Sequence, residues 1–222
     1  MAKTKARKRP ARKATATPET EQRILEAARS VFIRRGTAGA RMQEIAAEAG
    51  VNQALLHYYF RSKDQLGAAV FSQMASRLFP ALLQTLSSDA SLDAKIEEIV
   101  TIYHENLTRN PFLPGYVLAE LQYHPERIET VIAKIGGGDP RQVLGPVFLR
   151  LNEQIQAEVN VGRMRPITAR EFVVNLVSLC LFPFAARPML SMVLGLDDET
   201  FPTFIAERSR TLAAFYKNAL RQ

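Results

Sequence analysis

Met42–Leu66 reads MQEIAAEAGVNQALLHYYFRSKDQL, and its punctuation decides the fold. Met42, Ile45, Ala46 and Ala49 recur at three- and four-residue spacing, which puts them on one face of a short helix. Gly50 stops that helix, because it adopts a turn conformation that other residues resist. Asn52 can cap a second short helix from Gln53 to about Phe60. Ala46 is small enough for the two helices to approach closely, Val51 plugs the gap between them, and Leu56 and Phe60 anchor the second. On spacing alone this is a helix-turn-helix, a device that lays its second helix in the major groove of duplex DNA with its early residues at the base edges.

Upstream, Thr17-Pro18-Glu19 reads as a helix start, with a capping hydroxyl, a proline at the first helical position and acids at the positive end. Ile24, Leu25, Ala28, Val31 and Phe32 form its apolar stripe, and Gly36 is expected to end it as a left-handed cap. Downstream, Ser62-Lys63-Asp64-Gln65 fits a capping box. It opens a fourth helix with Leu66, Val70, Met74 and Leu78 inward, which Pro80 should bend or end. From about residue 91 the pattern predicts helices over 92–109, 112–123, 125–135, 140–160, 168–186, 188–194 and 199–220. Breakers separate them: Asn110-Pro111, His124-Pro125, Gly136-Gly137-Gly138-Asp139-Pro140, Arg165-Pro166, Pro188 and Gly195. The chain thus reads as all-α, with no alternating segment that would make a strand. Three regions follow: a low-complexity basic arm over 1–16, expected to be disordered; a helix-turn-helix domain over 17–79; and a larger helical domain over 80–222 for ligand binding and dimerisation.

The net charge of +7 has a definite location. Lys3, Lys5, Arg7, Lys8, Arg9, Arg12 and Lys13 stand in the first 18 residues without an acid, and the other 22 of the 29 basic residues equal the 22 acids. A cationic arm beside a neutral body points to a polyanion, most commonly nucleic acid. The arm has no apolar central run, so it is not a secretory signal. The longest uncharged apolar stretch, Phe172–Ala186, falls short of the ~20 residues that a membrane span needs, so a soluble, cytoplasmic protein without membrane contact is expected. Cys180, the one cysteine, rules out an intrachain disulfide and reads as a small buried hydrophobe.

An enzyme is not expected. There is no nucleophile elbow, no phosphate loop and no paired metal spacing. Gly136-Gly137-Gly138 has neither a preceding strand nor a following lysine and reads as a linker. His57, His104 and His124 are too scattered to hold a metal, and no cofactor is implied. A non-specific architectural DNA binder driven by the arm is the alternative, but it leaves the large C-terminal domain without a task.

From Gly36 through Ile45-Ala46, Ala49-Gly50-Val51, Leu55 to Phe60 and Ser62-Lys63-Asp64, the chain resembles the DNA-binding signature of the TetR family of regulators. About a dozen positions agree at fixed spacing. The resemblance implies that Gln53, Ala54, Leu55 and Tyr58 face bases, and that His57, Tyr59 and Lys63 hold phosphates. The chemistry agrees: the Gln53 amide can make a bidentate pair with adenine, and Ala54 and Leu55 suit a thymine methyl. Two departures stand out. Ala40 and Arg41 occupy the place of the family's threonine or serine, so Arg41, with Gln43 beside it, is expected to take the phosphate contact. His57 replaces the usual tyrosine.

The family's mode of action is then expected: a repressor on a palindromic operator, released by a small-molecule inducer. One recognition helix reads only a few base pairs, so a homodimer is expected. The interface is assigned to 168–186 and 199–220, through Phe172, Leu176, Leu179 and Pro183 on the first and Phe204, Leu212, Phe215 and Tyr216 on the second. The resemblance implies that two such helices from each subunit form a four-helix bundle; the same apolar faces could instead be core within one subunit. Aromatics between Tyr103 and Phe182, Phe112 among them, suggest a mostly apolar inducer pocket. Tyr103, His104, Tyr116, Tyr123, Phe148 and Asn175 are the candidates to line it.

Overall fold

Thr17 opens the first helix as its sequence predicts, accepting the Thr20 N–H on its hydroxyl at 3.3 Å. The computed structural model describes residues 17–111 and 113–222; the arm over 1–16 and Phe112 lie outside the described residues. Among the described residues there are eleven helices and no strand. The chain divides after Val70 into two compact units, so the division falls within the fourth helix and not at Pro80.

The first unit holds α1 (Pro18–Gly39), α2 (Met42–Glu48), α3 (Gln53–Tyr59) and the first turns of α4 (Lys63–Ser87). Gly36 sits at φ +67, so the regular part of α1 ends there, and a single turn over 37–39 follows before α2. Ile24, Ala28, Val31 and Phe32 of α1, Ile45 and Ala46 of α2, Leu56 of α3, and Leu66 and Val70 of α4 form its buried core. Arg34 grips Glu48 and Arg35 grips Glu44, two surface pairs that tie α1 to α2. The Arg34 guanidinium, bonded to Glu48, holds that carboxyl below the usual carboxylate range, with Ser30 helping.

The turn between α2 and α3 closes by a double hydrogen bond. Val51 N–H reaches Ala46 O at 3.0 Å and Gly50 N–H reaches Ala47 O at 3.2 Å, which satisfies two carbonyls that the helix end leaves over. That geometry requires Gly50 at φ +65. A Cβ added there would meet nothing within 4 Å, so Gly50→Ala carries a backbone penalty alone. The expected loss is about 1–2 kcal/mol of stability, read as a lower melting midpoint of the first unit. A midpoint that does not move would mean the turn relaxes into another conformation.

The second unit, residues 71–222, is built round α5 (Leu92–Arg109). Ile96, Ile99, Val100, Tyr103 and Leu107 of α5 are buried among α9 (Ala169–Ala185) and α11 (Thr200–Leu220). The ring of Phe172 meets that of Tyr216 edge-on at 5.6 Å, and the Tyr216 hydroxyl donates to Phe172 O at 2.7 Å. Around this centre lie α6 (Leu113–Tyr123), α7 (Glu126–Gly136), α8 (Pro140–Asn160) and α10 (Arg187–Leu194). Thr168 and Glu171 cap α9 reciprocally. Asp139 caps α8 from the end of the triple-glycine linker.

Two expectations change here. Pro80 neither ends nor interrupts α4, which continues to Ser87. A proline removes one backbone bond, but continuing the helix buries Leu82 and Leu86 in the second core, which offsets the loss. At Ser62 only the forward half of the capping box forms: Ser62 Oγ accepts Gln65 N–H at 3.1 Å, while the Gln65 side chain is exposed. By length and composition α4, or the bent pair α9 and α10 taken together, is apolar enough to cross a membrane.

Three buried charges break the apolar pattern. Lys95 is fully buried and donates to Leu86 O at 2.6 Å and Gln154 Oε1 at 2.7 Å; burial pushes its pKa below the usual lysine range. Glu120 of α6 and Arg127 of α7 form an ion pair, each side chain 5% exposed. Cys180 is buried, and its thiol is pushed up to about 12, so it behaves as the sequence predicts, as a small hydrophobe.

Candidate nucleic-acid interface

Asn52 fixes the start of α3 by accepting Leu55 N–H on its side chain at 2.7 Å. Leu56 and Phe60 then anchor the helix in the core, at 0% and 7% exposure. With that side committed, Gln53, Ala54, His57 and Tyr58 are left exposed, and Leu55 is half-buried. At 100° per residue these four fall within one arc opposite Leu56. Tyr58 is 72% exposed; its ring meets that of Tyr59 edge-on at 5.5 Å. Arg41 and Gln43, at the start of α2, are exposed as well, and Arg41 supplies no capping bond, as the missing hydroxyl predicts. The surface therefore offers an amide, an imidazole, a phenol and a guanidinium on two short helices joined by a fixed turn. That is the donor and acceptor set that reads base edges and phosphates.

Two residues expected on phosphate have protein partners. The Tyr59 hydroxyl donates to Thr17 O at 2.8 Å, which ties the end of α3 to the start of α1. Lys63 Nζ donates to Ala38 O at 3.0 Å and Ala40 O at 3.1 Å, which steadies the turn before α2. An ammonium has three donors, so Lys63 keeps one for another acceptor. Neither bond carries a sequence signal, because each closes over at least 23 residues. Residues 17–70 hold seven basic and six acidic side chains, so the described part of this unit is close to neutral.

In the second unit a cavity of about 360 Å³ lies among α4, α5, α6, α7, α8 and α9. It takes in Tyr103 and Phe148 of the expected ligand residues. His104 lines a separate small cleft of about 20 Å³ with Tyr103, Cys180 and Arg208. Tyr116 is buried without lining either space, Tyr123 is 76% exposed, and Asn175 is on the surface. The expected aromatic lining is thus replaced by leucines and valines of α4, α6 and α9, which the aromatic count could not reveal.

Of the residues expected at a dimer interface, Phe172, Leu176 and Leu212 are buried at 0%, 1% and 5% and pack the unit's own core, as do Pro183 and Tyr216. They face α5, which takes up the apolar side of α9 and α11. Leu179 and Phe204 are half-buried, and Phe215 is 62% exposed. Beside Phe215, the outer sides of α9 and α11 expose Val174, Phe182 and Ala214.

Comparison with known proteins agrees with this geometry. The family model of bacterial regulatory proteins, tetR family, matches residues 24–70. The chain is 33% identical over 120 residues to the HTH-type transcriptional repressor SCO4008 of Streptomyces coelicolor, covering 52% of this chain and 61% of that protein. It is 34% identical over 108 residues to the HTH-type transcriptional repressor Rv3405c of Mycobacterium tuberculosis, covering 49% of this chain and 54% of that one. The chain therefore spans little more than half the length of these curated relatives. The crystal structure of HlyIIR, a hemolysin II transcriptional regulator, shares the fold with a TM-score of 0.55 at 22% identity, over 92% of this chain and 98% of that one. Residues 24–70 thus carry the helix-turn-helix segment of the tetR family of bacterial regulatory proteins, and the all-helical architecture is the one that HlyIIR shares.

Proposed function

We propose that this chain is a sequence-specific DNA-binding transcriptional regulator that grips a palindromic operator as a homodimer, represses there, and is released by a small apolar molecule bound in its second unit. One observation carries the reading: α3 presents Gln53, Ala54, His57 and Tyr58 together on an exposed arc while Leu56 and Phe60 hold it rigidly to the core. A near-neutral 17–70 leaves the arm's seven cations as the main electrostatic grip on phosphate. The relatives' names as repressors support the direction of control. α4 belongs to both units, and its later residues Leu78, Leu82 and Leu86 line the cavity, so ligand binding there has a covalent route toward Lys63.

The test is selection of duplexes from a random library by the full chain, followed by gel shift against excess random DNA. A regulator enriches one two-fold symmetric site and holds it against competitor. Enrichment of no site, with binding that random DNA abolishes, would favour an architectural binder working through the arm.

The dimer has its own test. Phe215→Glu is expected to give monomers by light scattering with a melting midpoint close to that of the parent, because the side chain is 62% exposed. Leu212→Glu, one turn earlier and buried, should instead unfold the second unit. A Phe215→Glu protein that stays dimeric would remove this face from the interface.

A further inference from the structure

We propose that the 360 Å³ cavity takes an electrically neutral hydrophobic molecule carrying a hydrogen-bond acceptor, with the Tyr103 hydroxyl as its one polar anchor. This rests on the reading of the second unit as ligand-binding and narrows the ligand to a chemical class.

The walls set the class. Of the 21 described side chains that line the cavity, only Tyr103 carries a polar atom. The others are leucine, isoleucine, valine, proline and phenylalanine, brought from six helices. An ion buried there would lose its water and meet no counter-charge, which proteins do not tolerate without a partner. A cation finds no carboxylate: Glu120, the one acid on α6, is paired with Arg127 and does not line the space. An anion finds no guanidinium or ammonium, since Lys95 is engaged by Leu86 and Gln154, and Arg208 lines the other cleft.

Tyr103 supplies the anchor. It is 6% exposed and lines both the cavity and the small cleft beside Cys180. In an otherwise apolar wall its hydroxyl is the one side-chain group that can donate to an acceptor on a bound molecule. Burial also pushes the phenol's pKa above its ordinary value, so at neutral pH it is a donor and not a phenolate. The natural complement is a carbonyl, ether or hydroxyl oxygen on an otherwise apolar molecule. The volume allows a ligand of some size: a cavity of roughly 150 Å³ already holds benzene, and this one is more than twice as large.

The experiment uses the full chain and four ten-carbon probes below their aggregation limits: decan-2-one, decane, decanoate and decyltrimethylammonium. Affinity is read by calorimetry and by thermal shift. Decan-2-one should bind tightest, decane about two- to tenfold more weakly for want of the hydrogen bond, and both ions more weakly than decane. Tyr103→Phe should bring decan-2-one down to decane's affinity and leave decane unchanged. Val177→Phe, which fills the space from a half-buried position, should weaken both neutral probes together. Either ion binding as tightly as the ketone, a ketone-to-decane ratio unmoved by Tyr103→Phe, or no binding of either neutral probe would overturn the proposal. If the ketone binds as stated but leaves affinity for the selected operator unchanged, the cavity chemistry stands and the release mechanism falls.

Discussion

Gln53→Ala is expected to weaken binding to the selected operator by about 2–6 kcal/mol, because a dimer loses one bidentate base contact of about 1–3 kcal/mol in each half-site. That is roughly a thirtyfold to ten-thousandfold loss of affinity. Affinity for random duplex should move little, since the amide reads bases and does not neutralise phosphate. The fold should not suffer. Gln53 is the exposed first residue of α3, the helix start is held by Asn52, and alanine is the better helix former. Lys63→Ala makes the contrast. It should weaken operator and random DNA alike if the third donor of the ammonium reaches phosphate. It should also loosen the turn at 38–40, because Ala38 O and Ala40 O lose their donor. Fluorescence anisotropy on both duplexes at one fixed salt concentration separates these effects. Equal losses on operator and random DNA for Gln53→Ala would mean that the base-reading face lies elsewhere.

The sequence was most informative where local chemistry alone decides structure. Thr17, Gly50 and Asn52 each act through bonds that span a few residues, so helix ends could be read directly from them. The recognition arc was legible for the same reason: it is what remains of a seven-residue helix once Leu56 and Phe60 are assigned inward. Pro80 misled because its local penalty is outweighed by burial of Leu82 and Leu86, which depends on helices far along the chain. Phe172, Leu176 and Leu212 misled for a related reason. Helical periodicity says that a face is apolar, not whether the surface covering it belongs to the same subunit or to a second copy. The ligand residues fared worst. Aromatic rings are conspicuous in a sequence, but the cavity is walled mainly by branched aliphatics, and Tyr123, at 76% exposure, has no part in it. The resemblance assigned Tyr59 and Lys63 to phosphate, while their hydrogen bonds to Thr17 O and to Ala38 O and Ala40 O arise only when the end of α3 meets the start of α1 and the start of α4 meets the turn before α2.

Glu120→Gln should cost the second unit about 3–5 kcal/mol, since it leaves the Arg127 guanidinium buried without its carboxylate. For a unit of this size that corresponds to a melting midpoint roughly 6–20 °C lower. Both side chains are only 5% exposed, so water cannot take over the solvation that the pair provides. Added salt should not reproduce the effect, in contrast to the surface pairs Arg34–Glu48 and Arg35–Glu44. The double replacement Glu120→Leu with Arg127→Met should recover most of the loss, because two apolar groups of similar volume need no partner. Urea denaturation of the parent, both single variants and the double variant gives the coupling directly. A single-variant loss below about 1 kcal/mol, the range of a surface pair, would show that the pair is solvated after all. The position gives the loss a functional side. α6 contributes Val117, Leu118 and Leu121 to the cavity wall, and α7 contributes Ile132. The pair joins these two helices across the break at His124-Pro125 and so braces that side of the cavity wall. Glu120→Gln should therefore weaken decan-2-one and decane by the same factor, unlike Tyr103→Phe, which acts on the ketone alone.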